Sequence, residues 1–271
     1  MSETAAVDGS QPHIDELIHE VEDGIATVTF NRPESRNALT FAMYDGLAEI
    51  CRAAPTDGSV RAIVVTGAGG RAFAAGTDMA QFRGFSTPED AWGYEHRMEA
   101  VFDAIERCPL PTIAAITGAC TGGGAAIAGC CDIRISDARL KFGFPIARTL
   151  GNCLSIKNLA RLSALMGAGR VREMIFTARL IEAEEGLRLG LVTEVLPDAE
   201  AVAARAQELA RHLAGMAPLT LRATKEGLRR AFAEGAGADD ADLVSLAYMS
   251  ADFKEGMEAF LSKRAPAWKG R

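Results

Sequence analysis

Apolar and polar positions alternate over residues 14–21 and again over 25–30, on either side of Asp23-Gly24. A period of two predicts two half-buried strands, and an Asp-Gly pair between them signals a hairpin turn. Asn31-Arg32-Pro33 then breaks the second strand. Over residues 39–54 the period changes: Phe41, Met43, Leu47, Ile50 and Cys51 recur at helical spacing, Thr40 stands where an N-cap belongs, and Pro55 ends the run. The apolar run Ala62-Ile63-Val64-Val65 predicts a short buried strand, followed by a turn at Gly67-Ala68-Gly69-Gly70. Residues 89–107 predict a helix, 112–116 a second buried strand, 122–131 a helix of small residues and 132–136 another strand.

Past about residue 150 the strand pattern gives way to helix. Residues 155–166, 171–178, 182–189, 198–215, 217–235, 239–251 and 254–262 all favour helix, with Gly or Pro between several of them. The chain therefore reads as α/β to about residue 150 and mostly helical beyond. Strands alternating with helices predict βαβ units and largely parallel pairing. The helical stretch serves either as a second core or as a subunit interface, and periodicity leaves both open.

Composition narrows the function classes. The 271 residues, enough for one large domain or two small ones, are 48% hydrophobic and 24% charged, which excludes a disordered or fibrous chain. With 29 Lys+Arg against 36 Asp+Glu the net charge is −7, which argues against a nucleic-acid surface but leaves a small anionic ligand admissible. No apolar run is long enough for a transmembrane helix, so no membrane partner is expected. The first residues lack the basic start and apolar run of a signal peptide, so a cytoplasmic location is expected, with residues 1–12 as a disordered tail. The six cysteines, Cys51, Cys108, Cys120, Cys130, Cys131 and Cys153, form no CxxC pair, so reduced thiols and no structural metal are expected.

The glycine-rich turns carry the candidate chemistry. Gly67-Ala68-Gly69-Gly70-Arg71-Ala72 lacks the third glycine of a dinucleotide fingerprint, and no phosphate-binding P-loop pattern occurs. Gly122-Gly123-Gly124 follows a strand and opens a helix. Two readings stand: unpaired N–H groups and a positive dipole end for an anion or developing oxyanion, or close helix–strand packing that admits only small residues. Phe73-Ala74-Ala75-Gly76-Thr77-Asp78-Met79 forms a second small-residue turn after a buried strand. Two N–H donors converging from two such turns would make an oxyanion hole.

These segments resemble the enoyl-CoA hydratase/isomerase (crotonase) family. The matching stretches are Asn31-Arg32-Pro33-Glu34-Ser35-Arg36-Asn37-Ala38-Leu39, the segment from Phe73 to Met79, and Pro111 to Gly118 running into the glycine triplet. They continue with Cys131-Asp132-Ile133-Arg134, Phe142-Gly143-Phe144-Pro145, the stretch from Glu185 to Val192 and that from Glu255 to Arg264, so the likeness runs in order over roughly residues 14–269. The resemblance implies a crotonase-like spiral of ββα units over 13–200 and a helical C-terminal trimerisation region over 201–271. It implies homotrimers, or hexamers built from two trimers. It implies an acyl-CoA thioester as substrate, with coenzyme A as part of the substrate and no separate cofactor.

Carried over by position, the resemblance assigns the oxyanion hole to the backbone N–H groups of Thr77 and Gly123. It assigns the CoA groove to Arg36, Ala38, Ala75, Asp78 and Met79, with Phe260 and Lys263 reaching CoA from a neighbouring subunit. The two glutamates that hydratases of the family use are absent: Ala126 and Ile146 fill their positions. Hydration of an enoyl thioester needs groups that handle the water proton and the α-carbon proton, and neither side chain can move a proton. Enoyl-CoA hydratase is the nearest named activity. The alternatives are another reaction of the family, such as an isomerase, hydrolase or dehalogenase-like one, or acyl-CoA binding without turnover. Four side chains are replacement candidates, each with a plainer reading. Cys153 is a nucleophile or an inert buried thiol, and Arg148 a substrate carboxylate clamp or an ion-pair partner. Asp78 is an acid–base or a structural carboxylate, and His96 an acyl-pocket group or an ordinary helix residue.

Overall fold

The computed structural model describes residues 15–271. The tail expected over 1–12 and the first residue of the predicted hairpin lie outside that range. Strands β1 (Leu17–Glu22) and β2 (Ile25–Phe30) pair antiparallel around Asp23-Gly24. Asp23 and Gly24 both have positive φ, the backbone such a turn requires. Helix α1 (Phe41–Arg52) starts where Thr40 accepts a hydrogen bond from Met43 N–H. The Arg32 to Leu39 loop before it is pinned by Asn37, whose buried side chain donates to Ala68 and Ala72 carbonyls at 3.0 and 2.8 Å and accepts from Arg32 N–H.

From here the chain repeats one unit: a strand in a large sheet, a short strand in a small sheet, then a helix. The repeats are β3 (Ala62–Gly67), β4 (Ala72–Ala74) and α2 (Pro88–Glu106); β5 (Thr112–Ile116), β6 (Ala119–Thr121) and α3 (Gly123–Cys130); and β7 (Ile133–Asp137), β8 (Lys141–Gly143) and α4 (Ile146–Thr149). There follow α5 (Ile156–Met166), α6 (Ala168–Thr177), β9 (Ile181–Glu182), α7 (Ala183–Arg188), β10 (Glu194–Leu196) and α8 (Ala199–Ala214). The chain ends in α9 (Pro218–Glu234), α10 (Ala241–Tyr248) and α11 (Ala251–Leu261).

The large sheet has the order β1-β2-β3-β5-β7-β10 and the small one β4-β6-β8-β9. All pairs from β2 to β10 in the first, and β4-β6-β8 in the second, are parallel. The large sheet is covered on both faces, which is why its strands read as continuous apolar runs. Ala62, Val64, Ile113 and Ala115 face Val202, Ala206 and Ala210 of α8. Their alternates Ile63, Val65, Ala114 and Ile116 enter the main core with α1, α2 and α3.

The helices keep close to their expected limits, with two differences. The predicted boundary between the last two helices, at 252–253, lies instead at Met249-Ser250, where Ser250 caps α11 by accepting from Phe253 N–H at 2.9 Å. The whole small sheet and the one-turn helix α4 have no counterpart in the sequence reading: strands of two or three residues are too short to show a period. No helix among the described residues is long and apolar enough to cross a membrane.

Candidate active site

The two glycine-rich turns meet at one cavity of about 330 Å³. One wall is Ala75, Gly76 and Thr77, another is Thr121, Gly122, Gly123 and Ala126, and a third runs from Phe144 through Ile146 to Leu154. Helix α2 closes it with Tyr94, Glu95, Met98 and Phe102. A second cavity of about 270 Å³, beneath α9 and α10, holds neither glycine-rich turn.

The backbone explains why Thr77 faces the cavity. Leu39 pairs with it as an isolated parallel bridge. Leu39 N–H donates to the Gly76 carbonyl and the Leu39 carbonyl accepts from Asp78 N–H, both at 2.8 Å. Both bonds go to the neighbours of Thr77, so its own N–H and carbonyl point away from Leu39. Gly123 is the first residue of α3, and the first N–H groups of a helix have no intrahelical acceptor. Among the described residues neither the Thr77 nor the Gly123 N–H has a protein acceptor.

The glycine triplet also answers the packing reading. A Cβ on Gly124 would lie 2.4 Å from the Ala74 carbonyl oxygen, and one on Gly123 would lie 1.7 Å from the Tyr44 hydroxyl. Gly122 has φ 53 and ψ −120, a conformation that strains any other residue. Close packing and an N–H without a protein acceptor among the described residues therefore coexist in the same turn.

Beneath the turns lies a hydroxyl chain that the sequence reading missed. The Tyr44 hydroxyl is 2.8 Å from Thr77 Oγ1, which is 3.3 Å from the Tyr94 hydroxyl. Burial pushes both tyrosines above their ordinary range, so both stay protonated at neutral pH. Tyr94 in turn packs against Phe82, Phe85 and Phe41.

Of the residues read from the sequence, Thr77, Gly123, Ala126 and Ile146 line this one cavity, with Ala75, Met79 and Cys153. Cys153 is exposed there, not a buried thiol. Arg36, Ala38, Asp78, His96, Arg148, Phe260 and Lys263 do not line it. Arg36 is exposed, its guanidinium has no partner among the described residues, and its carbonyl accepts from Ala75 N–H at 3.0 Å. Asp78 caps the short helix that begins at Met79, accepting from Ala80 N–H, and pairs with Arg32 at 2.8 Å. These contacts, the Ala80 N–H first, hold its carboxyl below the usual range, which is the structural role. His96 and Arg148 are exposed, as are Phe260 and Lys263 on and just after α11.

Glu95, next to His96, is the carboxylate that reaches the cavity. The helical phase of α2 held the clue. Met98 and Phe102 are buried, and stepping back three and seven residues from them lands on Glu95.

Comparison with known proteins shows which family the chain belongs to. The enoyl-CoA hydratase/isomerase family model matches residues 20–271. The chain is 33% identical to a short-chain-enoyl-CoA hydratase of Clostridium acetobutylicum, covering 93% of this chain and 96% of that protein. It is 34% identical to an (E)-benzylidenesuccinyl-CoA hydratase of Thauera aromatica, over 93% of this chain and 98% of the other. A crystal structure of an enoyl-CoA hydratase/carnithine racemase from Magnetospirillum magneticum superposes with a TM-score of 0.86 at 34% identity, covering 96% of this chain and 97% of that one. Sequence, fold and the meeting of the two glycine-rich turns converge: the chain belongs to the enoyl-CoA hydratase/isomerase family.

Proposed function

We propose that the protein binds an acyl-CoA thioester and stabilises its enolate by hydrogen bonds from Thr77 and Gly123 N–H to the thioester oxygen. The observation that carries this reading is the pair of N–H groups, free of protein acceptors among the described residues, on two residues that line one cavity. Each donor to a developing oxyanion is worth about 2.7–4 kcal/mol. Ala75 and Met79 contact the pantetheine arm. Arg36 and Ala38 border the groove, Asp78 shapes its loop, and Phe260 and Lys263 contact CoA from a neighbouring subunit in a trimer or hexamer. A few cations suffice for the CoA phosphates despite the net charge of −7.

Hydration is not the favoured reaction of this site. Ala126 and Ile146 present methyl and alkyl groups to the cavity where a hydratase handles its protons. Each missing acid or base costs about 10²–10⁴-fold in rate. The test pairs calorimetric binding of crotonyl-CoA with its hydration followed by loss of enoyl absorbance. Tight binding with little hydration is expected, and A126E/I146E is expected to raise the rate. A wild-type turnover near ~10 s⁻¹, the usual enzyme median, would overturn the reading of the two replaced positions. Absence of binding would overturn the acyl-CoA reading itself.

A further inference from the structure

Two residues of the site are methyl-bearing where protons should move, yet one carboxylate does face the cavity. Resting on the acyl-CoA reading, we propose that Glu95 is the catalytic base that removes and returns the α-proton of the bound thioester.

The placement comes from α2. Tyr94, Glu95, Met98 and Phe102 share the cavity-facing side of that helix. Tyr94 reaches the Thr77 hydroxyl at 3.3 Å, so Glu95 sits one residue from a group that touches the oxyanion loop. Three other carboxylates of the helix are bound elsewhere: Glu99, Asp103 and Glu106 are all held by Arg161. Asp90 is consumed in the capping box with Thr87. Glu95 is half-buried and has neither cation nor hydrogen-bond donor among the described residues. An unpaired carboxylate in an apolar cleft is costly to keep, which marks it as a functional group rather than a structural one.

Its environment also suits the task. Burial raises its proton affinity above the usual carboxylate range, and the nearby Glu99 charge adds to the effect. A stronger base is better matched to a weakly acidic carbon. The other ionisable groups on the cavity are Tyr94, which stays protonated, and Cys153 on the exposed segment after α4.

The step balances without a further reagent. The Glu95 carboxylate takes the α-proton, the C–H electron pair becomes the enolate double bond, and the carbonyl pair moves onto the thioester oxygen facing Thr77 and Gly123. Return of the proton regenerates the thioester and the free carboxylate. In heavy water the protonated carboxyl exchanges with solvent, so deuterium is delivered to the α-carbon.

The test incubates the full-length protein with butanoyl-CoA in heavy water. Deuterium at the α-methylene is followed by mass spectrometry, and binding is measured by calorimetry on the same preparations. Wild type is expected to exchange the α-protons, E95Q to lose at least about 100-fold of that rate with binding retained, and E95D to fall between them. Should E95Q fail to fold, E95D is read alone, with reduced exchange and retained binding as the supporting result. Exchange by the variant at the wild-type rate overturns the assignment, as does a wild type that binds butanoyl-CoA without exchanging it. In those cases the acyl-CoA reading survives. A wild type that does not bind butanoyl-CoA overturns both.

Discussion

Gly123 does two things at one position, and its Cα hydrogen is what makes them compatible. It lines the cavity with an N–H that has no protein acceptor among the described residues, while the direction a Cβ would take is filled by the Tyr44 hydroxyl at 1.7 Å. G123A is therefore expected to push Tyr44 or the start of α3 aside, at about 1–3 kcal/mol of stability. On the proposed acyl-CoA reading it should also lower α-proton exchange far more than the loss of stability explains; a thermal melt and an exchange assay on one preparation separate the two. Thr77 offers a complementary prediction. Its hydroxyl is the hydrogen-bond partner of the buried Tyr44 hydroxyl. T77V leaves that group unpaired, and the Tyr94 hydroxyl without its 3.3 Å contact, and is expected to cost about 1–3 kcal/mol, whereas Y44F/T77V, which removes both hydroxyls of the 2.8 Å pair, is expected to cost clearly less than the sum of the single changes. Additive urea-melt results would show that the two hydroxyls do not interact.

At the scale of elements, α2 is the helix that carries the candidate base, and Arg161 of α5 is what holds it. Its guanidinium reaches Glu106 at 2.8 Å, Glu99 at 3.1 Å and Asp103 at 3.4 Å, with only 6% of its side chain exposed. R161M leaves Glu106 without a cation and Glu99 and Asp103 with only Lys157, at 3.9 and 3.3 Å, and is expected to cost up to about 3–5 kcal/mol in a denaturant melt. R161K should restore only part of it, because an ammonium cannot engage several carboxylates through a planar fork. Farther along, α9 and α10 are clamped by Glu226, Arg229, Arg230 and Asp242. Arg229 first, and Arg230 after it, hold the Glu226 carboxyl down to about 2, from an ordinary 4.5. That pair contributes stability above pH 4.5, where Glu226 is ionised in folded and unfolded chains alike, and loses it as pH falls towards 2. Against E226Q the advantage of the native residue is expected to be about 0.5–1 kcal/mol at neutral pH, given partial exposure, and to vanish near pH 2. An advantage that persists in acid would show that Glu226 acts by packing and not by charge.

Across the whole molecule, many of the large apolar side chains left in solvent lie on the last three helices. Leu228 and Phe232 on α9, Val244 and Tyr248 on α10, and Phe253, Met257, Phe260 and Leu261 on α11 are all exposed in the single chain. Exposed apolar side chains gathered on consecutive helices are the kind of feature an interaction surface carries. The expected occupant is a second and third copy of the chain, and light scattering is expected to give three or six times the 28.7 kDa chain mass. A stable monomer at micromolar concentration would count against the assembly. It would also remove the route by which Phe260 and Lys263, both away from the cavity of their own chain, reach a bound CoA.

The sequence by itself determined whatever rests on local geometry. Thr40 as a cap, the Asp23-Gly24 hairpin, the buried strands at Ala62 and Thr112, and the glycine triplet opening a helix were legible because each is written in neighbouring residues. The likeness of the segments from Asn31 to Arg264 to one family carried the candidate oxyanion residues and the two missing glutamates with it. What the local pattern could not carry was convergence. The three-residue strands of the small sheet exist because distant segments offer them partners, and a span that short has no period to read. Asp78 is held by the Ala80 N–H beside it and also by Arg32, 46 residues away, a partner that neighbouring residues do not announce. On α2, a carboxylate and an imidazole stand side by side in sequence, about 100° apart around the axis. Only the packing of that helix against α1 and α3 turns Glu95 inward and leaves His96 in solvent.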